Sequence, residues 1–145
     1  MRYVLVFVLV IVASTATVAY GGKKNNPSRE TTLLASEVAG KIVSRPGTTV
    51  SVTAPDSCRL HISFESVNAS FDLPLQGSTV SLADAEDGLI VENKSMTRKI
   101  KDRAPEAFER LTLRFNRTTV KSVMKTFSDA IASCNANVPS VVAVN

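Results

Sequence analysis

The only histidine in the chain, His61, lies four residues before Glu65, and a lone imidazole beside a carboxylate is the least equipment a general base needs. Leu60, Ile62 and Phe64 alternate with Arg59, His61, Ser63 and Glu65, which puts His61 on the outward side of a strand. There a surface histidine pairing with Glu65 or with a neighbouring strand is the stronger reading. One imidazole rules out any site that needs two and leaves no histidine-rich zinc constellation. No G-x-S-x-G, H-E-x-x-H, P-loop or dinucleotide glycine pattern occurs. The chain therefore reads as non-enzymatic, with no catalytic residue, metal or cofactor.

Asp84, Glu86 and Asp87 before Gly88 look like the start of a calcium loop, but the twelfth position, where a bidentate acid belongs, is Ser95. Asp87-Gly88 is better read as a hairpin turn, and a turn leaves these carboxylates in water with nothing to separate their acidities for glycosidase chemistry. The cations offer more. If the last two strands pair, Lys99, Lys101, Arg110 and Arg114 leave the sheet on one outer face, with Arg98, Arg103 and Arg117 at its margins. That is a candidate anion-binding patch, to be weighed against an ordinary solvated face neutralised by Asp102, Glu106 and Glu109. No aromatic residue interleaves with these cations, which argues against single-stranded nucleic acid.

The elements that would position these groups follow from periodicity. Leu34, Val38 and Ile42 repeat at helical spacing, and Pro46-Gly47 closes that helix. Seven short strands are expected next, around Val50 to Thr53, Leu60 to Phe64, Phe71 to Leu75, Val80 to Leu82, Leu89 to Val91, Met96 to Ile100 and Leu111 to Phe115. Pro74 marks the third as an edge strand or its end. Val120, Val123, Met124, Phe127, Ile131 and Cys134 then share one helical face, with Asn116, Thr118 and Thr119 offering capping oxygens. The expected class is α+β: about seven antiparallel strands in a bent sheet or sandwich, packed by an N-terminal helix and a long C-terminal amphipathic helix.

Basic Arg2, the apolar run Val4 to Val12 and the small residues Ala13 to Ala19 have the order of a secretory signal peptide, and nine apolar residues are too few to span a bilayer. The expected organisation is a signal at 1–19, a flexible segment at 20–27, one globular domain at 28–135 and a tail at 136–145. Removing Arg2 from 17 basic residues leaves 16 against 13 acidic ones, a mild +3 that permits an anionic partner without demanding one. Cys58 and Cys134 are the only cysteines, and in an exported chain they are expected to form one disulfide, pinning the last helix to the head of the second strand. N-x-S/T triplets occur at Asn68, Asn93 and Asn116, where about one to two would arise by chance in so Ser/Thr-rich a chain. They suggest a eukaryotic secretory route, and a periplasmic origin fits as well.

The strand run from Thr48 to Phe115, closed by the helix from Val120 to Cys134, resembles the pleckstrin-homology superfold, in which seven strands form a bent sandwich capped by a C-terminal helix. The resemblance is one of topology over about 85 residues. In lipid-binding members, phosphoinositide headgroups are held by basic residues around the first loop. Here that loop is Ala54-Pro55-Asp56-Ser57 with Arg59 beside it, so the resemblance implies no headgroup site. The functional expectation is a secreted or periplasmic binding domain whose partner is a protein or an anionic surface, not nucleic acid. Its alternatives are an inhibitor presenting the loop Ser66 to Ala69 or Ala104 to Glu106 to a hydrolase, and a carrier holding an apolar ligand among Phe64, Phe71, Phe115 and Phe127.

Overall fold

A computed structural model describes residues 26–136. The expected export signal and the tail from 137 onward lie outside them. Ser28 starts the first helix, α1 (Arg29–Lys41), by accepting a hydrogen bond from the Thr31 amide at 3.1 Å on its side-chain oxygen. The helix stops before Pro46. Ile42 turns into extended backbone and forms an isolated antiparallel bridge with Phe115, so a sheet contact sets the end.

Six strands follow: β1 (Val50–Asp56), β2 (Arg59–Phe64), β3 (Ala69–Pro74), β4 (Thr79–Leu82), β5 (Gly88–Ile100) and β6 (Glu106–Arg114). The second helix, α2 (Val120–Ala136), closes the chain. All strand pairs are antiparallel. β1, β2 and β3 form a meander, and β3 then pairs with the far end of β5 at Thr97 to Ile100, while β4 pairs with its near end at Leu89 to Glu92. β6 runs along the other side of β5.

The stretches Leu89 to Val91 and Met96 to Ile100, expected as two strands, are one. Between Glu92↔Arg110 and Met96↔Phe108 the register shifts, with three residues of β5 facing one of β6. Such a bulge changes which parity points inward. Leu89 and Val91 are buried before it, Asn93 within it and Met96 after it. The hairpin at Asp87-Gly88 is also built differently. Its connection runs from Ala83 to Asp87, Glu86 takes the positive φ of 54°, and Ala83 N–H donates to Gly88 O at 2.9 Å. Gly88 is required for another reason: a Cβ there would lie 2.9 Å from the Leu113 carbonyl oxygen.

Both helices lie on one face of the sheet, α1 along β1 and against α2, and α2 over β4. Leu34, Ala35 and Val38 of α1 meet Val120, Val123, Phe127, Ala130 and Ile131 of α2, above Leu60, Ile62, Leu73, Leu89, Val91, Met96, Leu111 and Leu113. Cys58 and Cys134 are joined, with Cα atoms 5.6 Å apart, so the disulfide ties the β1–β2 turn to the last turn of α2. Asn116, Thr118 and Thr119 do not supply the expected side-chain cap to α2: the Thr119 hydroxyl donates to Asn116 O at 3.1 Å.

The helices are also linked by a polar contact. The Thr126 hydroxyl donates to Glu37 Oε2 at 2.6 Å, and Lys41 Nζ reaches Oε1 at 3.2 Å. The Thr126 bond, with help from Lys41, holds the Glu37 carboxyl below the ordinary value of 4.5. A depressed carboxyl stabilises the fold above its unfolded-state value, and that contribution disappears as pH falls through the lowered native value. Thr126→Val is therefore expected to cost about 1 kcal/mol at neutral pH, the contact being partly solvated. The difference from the parent should shrink as pH falls through the lowered native value in urea unfolding. An unchanged difference at the acid end would show that the loss is one of packing.

Candidate functional site

With the helices on one side, the other face of the sheet is open, and strand register decides what stands there. Opposite residues on β1, β2, β3 and β5 line up as two rows across the strands. One row is Thr53, His61, Asp72 and Thr97, and the other is Ser51, Ser63, Ser70 and Lys99. Neighbouring strands lie about 4.8 Å apart, so each row is a line of touching side chains. The hydroxyl row is short in side-chain length. The imidazole–carboxylate row borders it on one side, and the turn residues Asn68, Lys101 and Asp102 border it on the other. The result is a polar trough of about 260 Å³ lined by His61, Ser63, Asn68, Ala69, Ser70, Lys99, Lys101 and Asp102.

His61 Nδ1 lies 3.0 Å from Asp72 Oδ1 across the β2–β3 pair, so the partner of the histidine is Asp72 and not Glu65. Glu65 has left the strand for a short 3₁₀ turn, Glu65–Val67. The dyad is open to water, with the two side chains 38% and 48% exposed. Serine, histidine and aspartate thus share one trough. Among the described residues, however, no hydrogen bond joins His61 to Ser63 or Ser70, the contact by which a histidine activates a serine nucleophile.

The proposed cationic patch separates into three places. Lys99 stands opposite Ser70 in the trough, and Lys101 joins it from the turn after β5, where its amide donates to Asn68 O at 2.7 Å. Arg110 lies opposite Glu92 and reaches it at 3.8 Å, beside a recess of about 650 Å³ at the β5 bulge. Seven residues along β5 separate Lys99 from that position, roughly 23 Å at about 3.3 Å per residue. Arg114 is further still, opposite Gly88, where it lines a recess with Val43, Ser44 and Arg45. Arg98 belongs to the opposite face. Its guanidinium lies 4.9 Å from the centre of the Phe108 ring and pairs with Glu106.

Lys41, Arg59, Arg98, Arg110 and Lys125 each contact a carboxylate. Lys99, Lys101 and Arg114 are in no ion pair among the described residues, and of these only Lys99 and Lys101 share a recess. Two free ammonium groups at the end of a hydroxyl row can donate to the oxygens of a sulfate, phosphate or carboxylate. Sequence reasoning missed Asp72, Ser63 and Ser70 as members of this site. Alternation places the serines outward, but only the β2–β3 and β3–β5 register brings them to Lys99.

The four phenylalanines lie in the core or against its margin. Phe115 and Phe127 are 2% and 0% exposed within the core, while Phe64 and Phe71 pack edge to face at 5.9 Å near its margin. Among the described residues there is no group of His, Cys, Asp and Glu that could hold a metal ion, and no helix long and apolar enough to cross a membrane. Comparison with protein-family models, curated proteins and solved structures finds no match to this chain.

Proposed function

We propose that this chain is a binding module of an oxidising, extracytoplasmic compartment and that the helix-free face of its sheet engages an anionic surface. The observation that carries this reading is the pair of unpartnered ammonium groups, Lys99 and Lys101, at the end of the Ser51–Ser63–Ser70 row. A trough with hydroxyls along its floor and two cations at one end suits repeated oxyanions better than a single apolar molecule. The disulfide fits an oxidising compartment.

The test is titration with a sulfated polysaccharide at low salt. Each lysine at an anionic surface is worth about 1 kcal/mol, so reversing both, K99E with K101E, should weaken binding by at least about tenfold. Arg110→Glu, remote and already engaged by Glu92, should change affinity little. Affinity of the parent should fall steeply with added salt. A loss from Arg110→Glu in proportion to its charge, about half that of the double variant in free energy, would assign the binding to net charge and discard the trough.

A further inference from the structure

The three N-x-S/T triplets are alike in sequence and unlike in the fold. Asn68 is exposed at the end of the 3₁₀ turn, in left-handed backbone at φ 47° and ψ 50°. Asn116 is exposed between β6 and α2. Neither side-chain amide makes a hydrogen bond among the described residues. Asn93 is 9% exposed, and its Nδ2 lies 3.1 Å from Pro74 O, 3.0 Å from Gln76 O and 2.8 Å from Ser78 Oγ. Its Oδ1 accepts from the Ser95 amide at 2.7 Å. The nitrogen that would carry a sugar is thus enclosed by acceptors in the bulge.

We infer that the chain is N-glycosylated at Asn68 and Asn116 and not at Asn93. The reaction takes its sugar from a lipid-linked oligosaccharide pyrophosphate. The Asn amide nitrogen attacks C1 of the first sugar, the bond from C1 to the phosphate oxygen breaks, the lipid pyrophosphate leaves with the electron pair, and the amide loses a proton. It requires an accessible amide and a hydroxyl two residues on, provided here by Ser70 and Thr118. It takes place in a compartment that also forms disulfides, and this chain contains one. Asn68 lines the trough as well, so its glycan stands at the rim of the anion site. The inference does not depend on what that site binds.

The experiment is expression of the full chain, its own N-terminal segment included, in cultured insect cells, with intact mass measured before and after peptide:N-glycosidase treatment. Two glycan increments are expected, both removed by the enzyme. Ser70→Ala and Thr118→Ala should each delete one increment, because each removes the triplet hydroxyl and leaves its asparagine in place. Ser95→Ala should delete none; it abolishes the third triplet while keeping Asn93 and the backbone amide that binds it, so misfolding does not confound it. A mass without glycan, a single increment in the parent chain, or a loss in Ser95→Ala overturns the assignment.

Discussion

Breaking the disulfide, with Cys58→Ser and Cys134→Ala together, is expected to lower stability by roughly 4.5 kcal/mol. The two cysteines are 76 residues apart in sequence and their bond constrains most of the sheet in the unfolded chain. In the chain-entropy account, a loop of that size loses that much freedom when closed, and the whole of it returns on cutting. The crosslink also has a local role. It fixes the β1–β2 turn, whose Ser57 carbonyl accepts from the Thr31 hydroxyl at the start of α1, to the end of α2, so one bond holds both helices to one corner of the sheet. Domains of this size are stable by about 5–15 kcal/mol, so the loss is a large fraction of the whole. The thermal midpoint should drop by roughly 20 °C, read by circular dichroism on the double variant or on the parent under reductant. A shift under about 5 °C would mean that the apolar face of α2, not the crosslink, fixes the helix to the sheet. The expected result also bears on location, since a fold this dependent on its disulfide is poorly suited to a reducing compartment.

Local periodicity was enough to read both helices, the first four strands and the partnership of the cysteines, because each rests on residues close in sequence or on there being only two thiols. What it could not supply was register. The outward side of His61 was legible from its neighbours in β2, but its partner Asp72 is set by the β2–β3 pairing, eleven residues away. The cations show the same limit. Lys99, Arg110 and Arg114 occur at outward positions of β5 and β6, yet antiparallel strands carry positions far from the connecting turn ever further apart, so a shared face did not make a shared site. The bulge was hidden for another reason: Asn93, Lys94 and Ser95 have the composition of a turn, and a buried asparagine in place of an apolar residue breaks the alternation by which a strand is recognised.

Asn93 is where that concealment has its largest energetic consequence, and Asn93→Ala should cost about 2–3 kcal/mol. The amide has two hydrogens and three acceptors within reach. The Ser78 hydroxyl donates to Pro74 O, which leaves the Asn93 hydrogens for Gln76 O and for Ser78 Oγ. Alanine removes the partner of the Gln76 carbonyl, of the buried Ser78 hydroxyl oxygen and of the Ser95 amide together, at a bulge where no ladder bond replaces them. Asn93→Asp should be worse at neutral pH, about 3–5 kcal/mol, because it places a carboxylate against acceptors in a largely buried site. Burial and those oxygens raise the folded-state value of such a carboxyl above its unfolded value, so its penalty grows as pH rises through the unfolded value and is relieved as pH falls. Denaturant unfolding of the two variants across pH separates these effects: the alanine loss should stay nearly constant and the aspartate loss should shrink toward it in acid. If Asn93→Asp matches the parent at neutral pH, Asn93 is not holding the bulge, and the argument that excludes it from glycosylation loses its footing as well.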